Sequence, residues 1–326
     1  MARLLGAYPH PLPRVQICMS DAELDLALDE LRACGFVVEQ MAGQLQLASW
    51  PDLLLPELLD HYRPPGALFP SAVCYRETLD STNILAKELA RQGAASGTLV
   101  VAEEQTAGRG RRGRSWSSSK GQGIWASLLL QSSLPADRLP WLTLLAGIAV
   151  VEAVQAAGLR DAWLKWPNDV WVERRKLCGI LTEVAGQRQG ATAVIIGIGV
   201  NIHQESFPAE IAASATSFYR ETGRRIYRAA LLADILHRLE TLLPLAADPE
   251  AQPFLDRWSR HDRLRGQPVA VLAADRSYRG IARGLTPGGA LQIERDDGTL
   301  ETLLAGDISL RPGVPDKEND KPFYSV

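Results

Sequence analysis

The sequence predicts an α+β protein whose main sheet is mixed or antiparallel, and three observations carry that prediction. First, apolar runs follow one another closely between residues 162 and 200: Ala162–Trp166 with Val170–Val172, then Leu177–Val184, then Ala191–Val200. The turns between them, at Pro167-Asn168-Asp169, Arg174-Arg175 and Gly186–Gly190, are too short to hold a crossover helix, so neighbouring strands run antiparallel. Second, helical stripes flank these strands at Trp141–Ala157 and Ala229–Leu243. Third, residues 266–311 consist only of brief apolar runs separated by Gly and Asp turns.

The 326 residues divide into a first section, 1–63, ending at the Pro64-Pro65-Gly66 break, a central section, 67–262, and a third, 266–311. Residues 312–326 carry Pro, Gly, Asp, Lys and Asn and read as a loose tail. In the first section, Met19-Ser20-Asp21 opens a helix whose stripe is Leu24, Ala27, Leu28 and Leu31, ending near Gly35. Phe36–Met41 and Gln44–Leu47 then form a hairpin around Ala42-Gly43. A helix followed by a two-stranded wing is the back half of a winged helix. Met1–Cys18, with three prolines and no helical period, leaves the front half missing.

The central section opens with a helix after Asp80, with Ile84, Leu85, Leu89 and Ala90 as its buried face. Leu99–Ala102 is a strand, a Gly/Arg loop follows, and Gly123–Leu130 is the next strand. Pro140 suits the first turn of the helix Trp141–Ala157. Leu232, Ile235, Leu236, Leu239 and Leu243 mark the closing helix.

Composition narrows the function. Hydrophobic residues are 46% and charged residues 22%, which describes a soluble globular chain. A net charge of −3 excludes a protein whose whole surface binds nucleic acid, although a local basic patch stays open. Cys18, Cys34, Cys74 and Cys178 show no CxxC spacing and are too sparse for a disulfide framework, which fits a reducing compartment. The N-terminal apolar stretch is broken early by proline and makes a poor signal peptide. The most apolar window, Trp141–Val151, falls short of the ~20 residues of a membrane span. The expected location is the cytoplasm.

Gly108-Arg109-Gly110-Arg111-Arg112-Gly113-Arg114 is the loudest signal. It matches GxGxxG formally, but the serines and glycines of Ser115–Gly123 cannot open the helix that a dinucleotide fold requires there. Four arginines in six positions nevertheless suit anions: glycine admits a phosphate close to backbone amides, and each guanidinium is a planar fork of donors. A nucleoside triphosphate, a nucleic-acid backbone or a merely solvated basic loop all satisfy this pattern.

Its neighbours discriminate. Lys165-Trp166-Pro167-Asn168-Asp169 gathers a cation, an amide and a carboxylate at one hairpin tip, where plain turn chemistry would also place Pro-Asn-Asp. Lys176 precedes the apolar strand Leu177–Leu181, as an edge lysine or as a ligand contact. Ile196-Gly197-Ile198-Gly199-Val200-Asn201 interrupts a good strand with two glycines, which marks a close approach by a ligand or another backbone. Trp116, Trp125, Trp141, Trp163, Trp166 and Trp171 crowd the same region, mostly as core, with one or two available to wall a ring-binding pocket.

The ordered set Ser81-Thr82-Asn83, Gln105–Trp116, Lys165–Asp169, Lys176–Leu181 and Gly197–Asn201 resembles the biotin protein ligases of the ligase/repressor type. The likeness extends over the small C-terminal section ending in Gly306–Arg311 and part of the first section. It implies a catalytic domain like that of class II aminoacyl-tRNA synthetases and an SH3-like C-terminal barrel. It also implies a two-step reaction: biotin and Mg-ATP give biotinyl-5′-AMP and pyrophosphate, and the adenylate acylates a lysine on the biotin carrier domain of acetyl-CoA carboxylase or a related carboxylase.

By the same resemblance, Ser81, Thr82, Asn83, Gln105, Gly108, Arg109, Gly110 and Arg111 line the biotin site, with Gly179, Ile180 and Leu181 packed on the ligand. Gly197 and Gly199 admit it beside the strand. Lys176, Arg111 and Lys165 carry the catalysis; Arg111, Arg112, Arg114, Trp116, Lys165, Asn168, Asn201 and Arg311 serve ATP or the adenylate; Asp169 helps to place Mg²⁺. A homodimer through the central sheet is a possible state.

Related chains with a whole winged helix also bind operator DNA. Here the expected recognition helix carries Asp21, Glu23, Asp25, Asp29 and Glu30 against Arg32 alone, so phosphates would repel it. DNA binding is not expected. Two rival readings remain, a lipoate ligase or octanoyltransferase sharing the fold, and a nucleic-acid-binding regulator using the arginine loop.

Overall fold

The computed structural model describes residues 1–41, 43–188, 190–272, 277–304 and 309–312. The chain opens with helix α1 (Ala2–Ala7), strand β1 (Leu12–Pro13) and a 3-10 turn at Arg14–Gln16. Helix α2 (Asp21–Ala33), strands β2 (Val37–Met41) and β3 (Gln44–Ser49), and helix α3 (Pro56–Tyr62) follow. The three strands order as β1-β3-β2, all antiparallel. Helix α2 begins where its sequence dictates: Ser20 Oγ accepts from the Glu23 amide at 3.3 Å and the Glu23 carboxylate accepts from the Ser20 amide at 2.8 Å, a reciprocal capping box.

Residues 1–18, expected to hold no helix, contain α1. At six residues it is too short to display a helical period, and a helix that short depends on tertiary burial rather than propensity. Leu4 and Leu5 supply that burial in the core shared with α3 and β3. The front half, expected to be missing, thus holds one short helix, and the 3-10 turn occupies the stretch between β1 and α2. Helix α3, on the N-terminal side of the Pro64-Pro65 break, buries Leu58 and Leu59 fully.

The central unit comprises β4 (Ala72–Leu79), α4 (Thr82–Arg91), β5 (Thr98–Gln105), β6 (Gly123–Ser132), α5 (Pro140–Ala156), β7 (Ala162–Lys165), β8 (Asp169–Val172), β9 (Arg175–Arg188) and β10 (Ala191–Asn201). Helices α6 (Phe218–Thr222), α7 (Arg228–Leu242), α8 (Pro244–Ala247) and α9 (Gln252–Ser259) complete it. The sheet runs β4-β5-β6-β10-β9-β8-β7. The β4–β5 pair is parallel and the others are antiparallel, so the sheet is mixed as the short turns require. Strand β4 has no sequence signal because Ala72–Leu79 lies at the sheet edge, half-exposed, without apolar alternation.

Strand alternation divides the sheet into two faces. Leu99, Val101, Leu128, Leu130, Val194 and Ile196 join the large core under α5 and α7, whereas Val100, Leu129 and Ile195 pack with Ala86 and Ala90 of α4. Helix α5 is buried nearly all round, as a helix apolar on every side must be. Helix α4 presents Thr82, Asn83, Ala86 and Ala90 to the sheet; Ile84, expected on its buried face, is 46% exposed. Small residues bring the helix close, and their weak apolar pattern hides the true face. The α4 face of β10 continues beyond Ile195 to Gly197 and Gly199, and this stretch becomes the floor of the site.

A buried ion network ties residue 52 to the central unit. Arg228, fully buried, donates from Nε to Asp52 Oδ2 at 2.8 Å, from Nη2 to Glu103 Oε2 at 2.8 Å and from Nη1 to the Gly123 carbonyl at 3.0 Å. His203 Nε2 stands 2.8 Å from the same Asp52 oxygen.

The C-terminal strands β11 (Pro268–Leu272), β12 (Ser277–Leu285), β13 (Leu291–Glu294), β14 (Leu300–Leu303) and β15 (Ser309–Pro312) form an antiparallel sheet ordered β14-β13-β12-β11-β15. Its β12–β13 turn reaches the central unit, where the Trp166 indole donates to the Gly289 carbonyl at 3.1 Å. From residue 313 onward the expected loose tail lies outside the described residues. No helix among the described residues is long and apolar enough to cross a membrane.

Candidate active site

The Gly/Arg loop leaves β5 at Gln105 and folds back on itself as a narrow hairpin. Gln105 pairs with Ser118 and Arg109 with Ser115, and the tip closes through the Gly110 amide donating to the Arg114 carbonyl at 2.8 Å. Arg112 takes the left-handed conformation, φ +59°, within the 3-10 turn Arg111–Gly113. Gly108 is required by packing: a Cβ there would stand 2.4 Å from the Trp116 carbonyl oxygen. This folded loop lies against the glycine-bearing strands β9 and β10 and encloses a cavity of about 1040 Å³.

The cavity wall gathers nearly every residue singled out in the sequence. Ser81, Thr82, Asn83, Gln105, Arg109, Gly110, Arg111, Arg112, Arg114 and Trp116 come from α4, β5 and the loop. Lys165, Asn168, Asp169, Lys176, Gly179, Ile180, Leu181, Gly197, Gly199 and Asn201 come from the antiparallel strands and their turns. Gly108 is the exception; it packs its own loop rather than lining the cavity. Arg311 belongs to β15, opposite Ala270, and its side chain lies outside the described residues.

Several expected contacts take a different form. The space above Gly197 is filled by the Asn83 amide, and that above Gly199 and Gly179 by the Trp116 indole. The glycines thus admit side chains of this chain close to the sheet. Asn168 donates to the Ile180 carbonyl at 2.9 Å and accepts from Arg111 Nη1 at 2.9 Å, which makes it the anchor of Arg111 on β9. Asn201 donates to the Thr216 carbonyl at 3.0 Å and accepts from Gln204 at 3.1 Å. Lys165 is nearly buried, with Nζ 3.8 Å from the centre of the Trp171 ring.

Lys176 Nζ forms an ion pair with Asp169 Oδ1 at 2.8 Å and lies 5.2 Å above the Trp116 ring. The buried indole nitrogens of Trp116 and Trp171 lack acceptors. Buried polar atoms of this kind, converging on one cavity, are the mark of a ligand site.

The electrostatics are one-sided. Arg109, Arg111, Arg112, Arg114, Lys165, Arg174 and Lys176 line the cavity against two carboxylates, Asp169 and Glu210. In a chain of net charge −3, that concentration of cations selects an anionic ligand. Thr82, Asn83, Gln105 and Leu181 frame a slot in the same cavity; Ala126, Ile180 and Ile198, which also border it, turn their side chains into the core under α5.

Sequence reasoning missed the segment Phe207–Ala215, which supplies much of the remaining wall. It is held by the Lys176 amide donating to the Ser214 carbonyl at 2.7 Å and the Thr216 amide to the Lys176 carbonyl at 2.9 Å. Backbone bonds do most to place it, so no side-chain pattern announces it. Trp166 and Trp171 reach the wall while Trp125, Trp141 and Trp163 are core.

Known proteins share this fold. The biotin/lipoate A/B protein ligase family matches residues 75–201, and the biotin protein ligase C-terminal domain matches residues 265–311. The chain is 37% identical over 286 residues to the bifunctional ligase/repressor BirA of Bacillus subtilis, covering 87% of each. To the biotin–[acetyl-CoA-carboxylase] ligase of Mycobacterium tuberculosis it is 32% identical over 233 residues, covering 70% of this chain and 85% of that one. The structure of biotin protein ligase from Aquifex aeolicus in complex with biotin and ATP superimposes with a TM-score of 0.65 at 32% identity, covering 74% of this chain and 99% of that one. The chain belongs to the biotin/lipoate protein ligase family and, within it, to the biotin protein ligases.

Proposed function

We propose that this cavity carries out ATP-dependent biotinylation, taking biotin in the slot between Thr82–Asn83 and Gly179–Leu181 and ATP along the arginine loop. The observation that carries this reading is the charge of the wall, seven basic side chains against two carboxylates. In the first step a biotin carboxylate oxygen attacks the α-phosphate and pyrophosphate leaves. Anion meets anion, so cations must hold both partners and match the charge of the transition state. Lys176, oriented by Asp169, and Arg111, oriented by Asn168, both line the cavity and are the cations assigned to this step. Lys165, Arg112, Arg114 and Arg311 serve the phosphates or adenylate, and Trp116 and Asn201 shape the nucleotide end. In the second step the amine of a carrier-domain lysine attacks the acyl carbon and AMP leaves.

Mg²⁺ enters with the phosphates. Among the described residues there is no cluster of three His, Cys, Asp or Glu side chains that could hold a metal ion. Asp169, already paired through Oδ1 with Lys176, is the cavity carboxylate that would hold the ion, with phosphate and water supplying most of its ligands. When bound, the ion neutralises phosphate charge.

The same reading places the winged-helix-like segment at 1–63, the ligase domain at 67–262 and an SH3-like unit at 266–311; the sheet orders support it. The partner is the biotin carrier domain of a carboxylase. The test is avidin blotting of a purified carrier domain after incubation with this protein, biotin and Mg-ATP. ATP-dependent biotin labelling that excess lipoate does not suppress is expected; suppression by lipoate, with lipoate attached to the carrier instead, would reassign the substrate.

Relatives that combine ligase and repressor activity raise a second role for the N-terminal unit. Asp21, Asp25, Asp29 and Glu30 are exposed along α2, and a helix of that charge is repelled by a phosphate backbone. We propose that this unit does not bind operator DNA. Salt-sensitive retention of a biotin-operon fragment, dependent on biotin and ATP, would overturn that reading.

A further inference from the structure

We propose that Glu183 is a positioning residue, which sets the hydrogen-bonding polarity of the slot wall through Asn83. The inference rests on the assignment of the slot to biotin. Glu183 does not line the cavity, yet β9 carries its carboxylate to the N-terminal turn of α4. There Asn83 Nδ2 donates to Glu183 Oε2 at 2.8 Å and to the Leu181 carbonyl at 3.2 Å. One turn along α4, Lys87 Nζ donates to Glu183 Oε1 at 2.5 Å.

The polarity follows from what each group can do. A carboxylate and a backbone carbonyl only accept, so both N–H bonds of the Asn83 amide turn toward them and Oδ1 faces the other way. That oxygen accepts from Ser127 Oγ at 2.6 Å. Ser127 spends its one hydroxyl proton on that oxygen, so across its 2.7 Å contact with Thr82 Oγ1 the threonine hydroxyl is the donor. The Thr82 amide donates to Gln105 Oε1 at 2.8 Å, and Gln105 gives an N–H to Ser118 Oγ at 2.8 Å. With its proton turned to Ser127, Thr82 Oγ1 meets the slot as an acceptor, suited to an N–H such as that of a cyclic urea.

Burial presses the Glu183 carboxyl upward, but Asn83, Lys87 and Arg109 together hold it below the usual carboxylate range, so it is an acceptor at neutral pH. A glutamine at this position would bring its own donors. It could give a proton to Asn83 Oδ1, turn the amide over and reverse the order of the chain.

The test is calorimetric biotin binding without ATP, together with pyrophosphate release as each substrate is varied. Glu183→Gln is expected to weaken biotin binding and raise the biotin KM about tenfold, leaving the ATP KM and kcat within about twofold. Glu183→Asp keeps an acceptor-only group and is expected to restore biotin binding to within about threefold of wild type. Unchanged biotin binding in Glu183→Gln, or an equal rise in both KM values, overturns the assignment. Should Glu183→Gln be unfolded, Lys87→Met carries the test: it removes the ion pair but leaves the carboxylate facing Asn83. Wild-type biotin binding then supports the role, and a tenfold loss refutes it. Wild-type protein that binds no biotin defeats the slot assignment itself, a failure distinct from that of Glu183.

Discussion

The Trp116 indole nitrogen lies 2.7 Å from the point where a Cβ on residue 199 would stand. Glycine at 199 is what lets the arginine loop rest its one tryptophan flat against β10. The same ring closes over Gly179, where a Cβ would approach it to 2.9 Å. Gly199→Ala is therefore expected to push the indole off the strand, at a cost of about 1–3 kcal/mol of overpacking if the loop stays seated. Because the loop can move instead, the sharper readout is function. Biotin-dependent pyrophosphate release should fall at least tenfold while the melting temperature changes little, and a fully active variant would refute the packing role.

Lys176→Ala and Arg111→Ala should each slow pyrophosphate release by about 10²–10³-fold, the scale of losing one preorganised donor at a developing charge. Asn168→Ala should be milder, since it loosens Arg111 rather than deleting its charge. Near-normal rates for the two cation variants in single-turnover assays would remove both from the chemistry.

Arg228→Met should destabilise the protein by about 3–5 kcal/mol, because Asp52 and Glu103 would be left facing each other without their shared cation. Denaturant unfolding followed by tryptophan fluorescence measures this. A loss below 1 kcal/mol would mean that the two carboxylates find protons or water easily.

Glu152 on α5 gives a pH dependence. Burial alone would raise its carboxyl, but hydrogen bonds from His261 and Arg257 outweigh it and hold the pKa at about 2, below the ordinary 4.5. A depressed folded-state pKa stabilises the fold above the unfolded value, and that contribution is lost as pH falls from about 4.5 toward 2. It is on the order of 2–3 kcal/mol. Glu152→Gln should flatten this part of the acid-unfolding curve; an unchanged slope would assign acid sensitivity to other carboxylates.

Much of the molecule was legible in the sequence. The runs at 162–200 fixed antiparallel strands through turn length alone, and Met19-Ser20-Asp21 marked the start of α2. The site was legible because its chemistry is written in rare residue types at rigid turns: arginines between glycines, Lys165 to Asp169 at one hairpin tip, and glycines inside β10. Charge and backbone freedom leave a local trace that survives without knowing the fold.

Other features exist only in three dimensions. Helix α1 is stabilised by burying Leu4 and Leu5 beside α3, and β4 pairs at an edge that demands no alternation. Phe207–Ala215 enters the cavity through backbone bonds to Lys176, which any sequence can make. Tertiary structure also decided what the glycines admit, which is Asn83 and Trp116 of this same chain, and it joined Glu183 to the slot through Asn83. The sequence by itself determined which charges and backbone freedoms are present, because those are properties of single residues. Which of them meet was decided by packing, because a contact between residues 83 and 183 is a property of the whole sheet and the helix laid across it.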